Sequence, residues 1–215
     1  MPNRLAPRAI VLPDGREGVL SVPARVRGLV IFAHGSGSNR LSPRNTAVAR
    51  DLQARGFATL LCDLLTEEEA LDRANVFDIS LLARRLGDVI AWASTEPTLT
   101  GLPLGLYGAS TGAAGAIMAA VNSPHEVSAV VSRGGRPDLA RAALPFLRAP
   151  TLLAVGANDT EVIALNREAR EQMTCESELL IVPGASHLFE EPGALEQVSS
   201  AAVRWFERHV PNHAL

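Results

Sequence analysis

The chain has 215 residues, 47% of them apolar and 20% charged, and a formal net charge of -3. That length fits one domain with a sizeable core, and the charge offers no basic field for nucleic acid or an anionic membrane. Cys62 and Cys175 form no C-x-x-C pair, no apolar run reaches the ~18 residues of a membrane span, and Met1 to Arg4 lead into no signal-like apolar stretch.

In chain order, residues 9–13 and 18–23 read as two strands joined by the turn Asp14-Gly15. Gly28-Leu-Val-Ile-Phe-Ala33 is an unbroken apolar run, as in a strand covered on both faces. Residues 46–55 follow as a helix ended by Gly56, and Phe57-Ala-Thr-Leu-Leu-Cys62 is the next strand. Residues 64–73, with the acidic run at 67–69, read as a solvated loop and as the one candidate for a partial cover. Residues 75–94 form the clearest helix, because Val76, Ile79, Leu82, Leu86, Val89 and Ala93 recur every three or four positions. Strands at 102–107, 127–131, 151–155 and 178–182 then alternate with helices at 113–121, 137–147, 161–173 and 195–210. A hairpin followed by repeated strand–helix pairs specifies an α/β class. The expected sheet is mostly parallel with an N-terminal antiparallel hairpin and helices on both faces. Such sheets bind ligands at the carboxyl ends of their strands.

Polar residues gather at those ends: His34-Gly-Ser-Gly-Ser-Asn39, Asp63, Ser110, Arg133-Gly-Gly-Arg136, Asn158-Asp159 and Ser186-His187. Gly108-Ala-Ser110-Thr-Gly112 fits G-x-S-x-G at a strand–helix junction, the pattern of a nucleophile elbow. The glycines leave room for a sharp turn, and the helix start favours negative charge beside the serine. A tight structural turn gives the same five letters, so the partners decide. A serine hydroxyl needs a base. His125 lies in a turn at the wrong edge of the sheet; His209 and His213 lie near the C-terminus, where solvent is expected; His34 reads as shaping the glycine-rich turn. His187, just past the last strand, is the expected base.

Asp159, past the preceding strand, is the expected carboxylate to orient it, with Asp138 in reserve. Asp63 precedes the serine in the chain. Two amides are expected to hold the oxyanion: Thr111, directly after the serine, and Ser36, with Gly37 as the alternative. Arg133 and Arg136 are candidates to clamp a carboxylate or phosphate of the substrate. The alternative is a helix cap with arginines paired to Asp63 or the 67–69 run. Cys62 reads as a small core residue.

Together, His34-Gly-Ser-Gly37, Gly108-Ala-Ser-Thr-Gly112, Asp159 and His187 resemble the α/β-hydrolase superfamily over nearly the whole chain. The small size and the lack of a long insertion after residue 131 resemble its lidless, dienelactone hydrolase-like branch. Phe32-Ala-His-Gly-Ser-Gly-Ser-Asn39 and Ser132-Arg-Gly-Gly-Arg-Pro-Asp138 also resemble hydrolase-like domains attached to a phosphoribosyltransferase. The resemblance implies one domain over residues 1–215, no cap domain, a Ser110-His187-Asp159 triad, and no metal or cofactor. Dienelactone hydrolase itself uses a cysteine where this chain has Ser110, which favours an ordinary ester.

The expectation is a cytoplasmic serine carboxylesterase with a shallow open site. It would take small-molecule esters through an acyl-enzyme, without nucleic acid or membrane, as a monomer or homodimer. The same triad also suits an acyltransferase or peptidase. From another class, the fold suits a non-catalytic binding domain or an accessory partner of a phosphoribosyltransferase.

Overall fold

The computed structural model describes residues 6–212, so Met1 to Arg4, read above for a leader, and His213 lie outside it. Strands β1 (Arg8–Val11) and β2 (Glu17–Ser21) form the expected antiparallel hairpin, with Gly15 at φ 87° in its turn. Six more strands follow: β3 (Gly28–Ala33), β4 (Phe57–Cys62), β5 (Leu104–Ala109), β6 (Val127–Arg133), β7 (Thr151–Gly156) and β8 (Ser177–Val182). All eight join one sheet in the order β1-β2-β4-β3-β5-β6-β7-β8. The β1–β2 and β2–β4 pairings are antiparallel and the rest parallel.

Strand alternation divides the core into two layers. Leu29, Ile31 and Ala33 of β3 pack on one side with α4 (Ile79–Thr95) and α5 (Thr111–Asn122). Val30 and Phe32 pack on the other with α1 (Pro43–Ala54) and α7 (Ala194–His209). Every residue of β3, β4, β5 and β7 is buried, as continuous apolar runs in a doubly covered sheet require. Helix α6 (Thr160–Gln172) connects β7 to β8. No helix among the described residues is long and apolar enough to cross a membrane.

Three segments differ from the sequence reading. The stretch 64–73 is not plain loop: α2 (Glu67–Leu71) starts there, closed by a Thr66–Glu69 capping box. The helix expected over 75–94 is two helices, α3 (Arg73–Phe77) and α4, parted at Asp78, whose side chain accepts from the Leu81 amide at 2.9 Å. A capping aspartate inside an otherwise regular stripe restarts the helix and detaches Val76 from it. The segment Pro137–Phe146 is a 3-10 helix kinked at Ala140, with Pro145 lacking the amide that a regular helix would use.

Candidate active site

Ser110 sits between β5 and α5 at φ 51° and ψ -123°, a conformation that costs an L-residue of order 1–3 kcal/mol and persists only where its surroundings enforce it. Those surroundings are two close backbone approaches. A Cβ on Gly108 would lie 2.4 Å from Ala113 Cα, and one on Gly112 would lie 2.3 Å from the His34 carbonyl oxygen. The flanking glycines are thus required by packing, and the turn turns the serine side chain out at the strand end. The Ser110 amide donates to the Arg133 carbonyl at 3.2 Å, and the Arg136 amide donates to the Ser110 carbonyl at 3.2 Å.

Asp159 and His187 arrive from the ends of β7 and β8. Their Oδ2 and Nδ1 atoms lie 2.6 Å apart. The loops that carry them are tied together: the Asn158 amide donates to the Ala185 carbonyl at 2.9 Å, and Asn158 Nδ2 donates to the Gly184 carbonyl at 2.9 Å. With Nδ1 donating to Asp159, Nε2 is left as the acceptor. Ser110 and His187 line one cavity of about 230 Å³, although they share no hydrogen bond in this state. Catalytic contacts of this kind often tighten only when substrate binds.

Ser36 and Thr111 are brought together, but through a contact that the sequence did not signal. The Ser36 amide donates to Thr111 Oγ1 at 3.0 Å. The Thr111 amide opens α5 and has no carbonyl one turn back within the helix to accept it. Gly37 stands next to Ser36 at φ 69°.

Arg133 is 6% exposed and lines the Ser110 cavity. Its Nη2 donates to Asn45 Oδ1 at 3.1 Å, and its guanidinium lies 6.0 Å from the centre of the Phe189 ring. Among the described residues it forms no ion pair with a carboxylate, and its buried Nε has no partner. Arg136 is not brought into the cavity. Its guanidinium makes two bonds to Asp138, at 2.9 and 2.8 Å, because a carboxylate two residues on reaches it first. That pair also occupies Asp138, the reserve acid. Asp63 is taken by Arg40 and its oxygen accepts from the Arg40 amide at 2.7 Å, so neither pairing expected for the arginines of the 133–136 loop occurs.

His34 keeps its structural role. Its Nε2 accepts from the Leu64 amide at 3.1 Å and its Nδ1 lies 3.0 Å from the Gly35 carbonyl, which fixes a neutral ring with the proton on Nδ1. Burial holds its pKa below the ordinary value, against the smaller upward pull of Gly35 and Asp63. His209 is largely shielded: its side chain is 9% exposed and lies against Trp205, with ring centres 4.4 Å apart and planes tilted by 50°. Cys62 is buried in the core, and burial pushes its thiol up to about 12, far from a reactive thiolate. Sequence reasoning missed Arg44, Asn45 and Leu188 on the cavity wall. Asn45 meets Arg133 across 88 positions of chain, which no local pattern announces.

Residues 17–211 match the dienelactone hydrolase family. Over 97% of this chain and 99% of the other, the fold superposes at a TM-score of 0.91 and 49% identity on a dienelactone hydrolase from Anabaena variabilis. Two curated proteins from strains of Mycobacterium tuberculosis, provisionally named phosphoribosyl transferases, are 56% identical over 193 residues, 90% of this chain. That match covers 44% of their length, so the chain spans less than half of each. An α/β serine hydrolase homologue from Coxiella burnetii shares the fold at a TM-score of 0.77 and 20% identity, over 95% of this chain and 97% of its own.

Proposed function

The chain belongs to the dienelactone hydrolase family, a hydrolase family of α/β-hydrolase fold without a cap domain, and from that premise we propose that it is a serine esterase acting on small carboxylic esters. The observation that carries the reading is the 2.6 Å His187–Asp159 contact beside a serine held at φ 51° in the same cavity. In this reading Ser110 Oγ attacks the ester carbonyl and His187 Nε2 takes its proton, while Asp159 fixes the ring and stabilises the imidazolium. The tetrahedral oxyanion is held by the Thr111 amide and by the Ser36 amide, which exchanges its bond to Thr111 Oγ1 for the oxyanion; Gly37 is the alternative second donor. The alcohol departs with the proton from His187. Water, activated by the same ring, then frees the acyl group. Side chains and amides suffice for every step, and two free cysteines suit a reducing compartment such as the cytoplasm.

Arg133 is the proposed substrate contact. A buried guanidinium without a carboxylate partner, beside the nucleophile, favours an ester that carries its own anionic group. The ratio of kcat/KM for a monoanionic ester to that for its neutral analogue should fall at least tenfold in Arg133→Met.

The test of the whole reading is a fluorophosphonate probe followed by peptide mapping. An adduct on Ser110 that is lost in His187→Ala supports it; no adduct on folded protein sinks it. Added alcohols or amines as acceptors separate hydrolysis from acyl transfer and from peptidase action.

A second reading is favoured by the relatives named phosphoribosyl transferases, which are more than twice as long as their matched part. The chain would then serve as a non-catalytic or accessory unit of a phosphoribosyltransferase system. Absence of labelling together with co-purification of such an enzyme would support that reading.

A further inference from the structure

A second cavity, of about 310 Å³, lies beneath α2 and α3. Gly35, Ser36 and Ser38 line both it and the Ser110 cavity, so the 35–38 loop is the partition between the two. Thr111 faces the second cavity while Ser110 faces the first. The donors proposed for the oxyanion therefore stand on the partition, and an ester carbonyl placed there has a cavity on either side.

The two cavities differ in chemistry. The Ser110 side holds Arg133 without a counter-ion, whereas the one arginine bordering the second cavity, Arg40, is paired to Asp63, and the exposed Glu67 adds a negative charge that disfavours an anionic occupant. Its floor is the buried pair Leu65 and Leu82, and its roof includes Ala70 and Val76. An apolar cavity of about 150 Å³ admits a benzene ring. About twice that volume accepts a substituted ring or a medium-length alkyl chain. The roof is lightly fastened. Neither α2 nor α3 has a buried residue; Val76 packs partly buried against the core, Arg85 pairs with Glu69, and Asn75 Nδ2 donates to the Glu69 carbonyl at 3.0 Å, which joins the two helices to each other. The cavity is itself partly open to solvent beside these helices.

We propose that this cavity is a substrate subsite for an uncharged apolar arm of the ester, aryl or medium alkyl, entering under α2 and α3. That the ligand is an ester arm rests on the serine-esterase reading. A site of this kind would select for one apolar arm.

Binding can be read without catalysis. Linear amides from acetamide to octanamide, titrated by calorimetry into Ser110→Ala, should gain about three- to fourfold in affinity per methylene until the cavity is full. The gain should vanish in Val76→Trp, which fills the roof, and extend to longer chains in Val76→Ala. Ala70→Trp, on the exposed side of the roof, repeats the blockade if Val76→Trp fails to fold. Affinity independent of chain length, or a length dependence that survives the blockade, overturns the subsite.

Vinyl esters of rising acyl length and acetates of rising alcohol length, followed by pH-stat, then tell which arm enters. The series whose kcat/KM climbs with length and loses that climb in Val76→Trp is the one. Ser110 labelling with both series flat overturns the subsite alone. Length-dependent amide binding without labelling overturns the esterase reading and keeps the apolar subsite.

Discussion

The loops after β5, β6, β7 and β8 are joined to one another by backbone hydrogen bonds, whereas α2 and α3 bury no residue and hold to the body through side chains. On the first wall, Ser110 bonds to the Arg133 carbonyl, Gly134 to the Ala154 carbonyl at 2.7 Å, and Asn158 to the Ala185 carbonyl. These bonds run across four strands and place Ser110, Asp159 and His187 from residues far apart in the chain. In the proposed esterase reading these are the reacting groups, which lose rate steeply when misplaced by an ångström and so belong on the stiff wall. In the proposed subsite the cover bounds the space that takes the apolar arm.

The contrast can be broken hardest at the stiff wall. Ser110→Ala or His187→Ala should lower kcat on p-nitrophenyl acetate by about 10⁶-fold, and Asp159→Asn by about 10⁴-fold, through the wrong tautomer of His187. A residual rate within tenfold of the parent for any of these would break the assignment.

Backbone crowding comes next. Gly112→Ala places a Cβ 2.3 Å from the His34 carbonyl oxygen and should cost roughly 3 kcal/mol or more in urea unfolding. Gly87→Ala, on α4 with nothing within 4 Å of the new methyl, should instead gain about 0.5–1 kcal/mol. Equal effects at the two glycines would remove the argument for a stiff elbow.

The cover should respond least in global stability and most in local opening. Arg85→Met removes the tie to Glu69 and should cost less than about 1 kcal/mol. Amide hydrogen exchange should nevertheless quicken across residues 67–77 while β5, β7 and β8 keep their protection.

A shallow pH dependence completes the set. The folded-state pKa of His34 is lowered by burial, so between that value and the ordinary 6.5 the unfolded chain binds more protons than the folded one. Stability is therefore full above pH 6.5 and falls as the pH drops below it, as protonation removes the acceptor at Nε2 for the Leu64 amide. Urea midpoints at pH 7.5 and 5.5 should show the fall, and His34→Gln should flatten it.

Much of this was legible in the residues because it follows short-range rules. Continuous apolar runs marked strands covered on both faces, and G-x-S-x-G marked the junction where Ser110 sits. The succession of strand ends put Asp159 and His187 in neighbouring loops. The rest depended on contacts between distant positions. The Ser36–Thr111 bond spans 75 residues, and Arg133 finds Asn45 rather than an acid. The cover left no periodic signal because five-residue helices with no buried face have no stripe to read. Val76 was absorbed into the α4 stripe by spacing alone, although Asp78 caps a fresh helix start just after it.

The order of these parts along the chain has a consequence for how the molecule can change. Apart from Thr111, the walls of the apolar cavity come from residues 34–82, while Ser110, Asp159 and His187 all come later. In the two proposals, appetite and chemistry are thus written in separate paragraphs of the gene. Replacement of the segment from Thr66 to Phe77 can retune what is admitted without redrafting the strands that carry the proposed triad. Lineages and protein engineers alike can diversify this scaffold by editing one short exposed stretch.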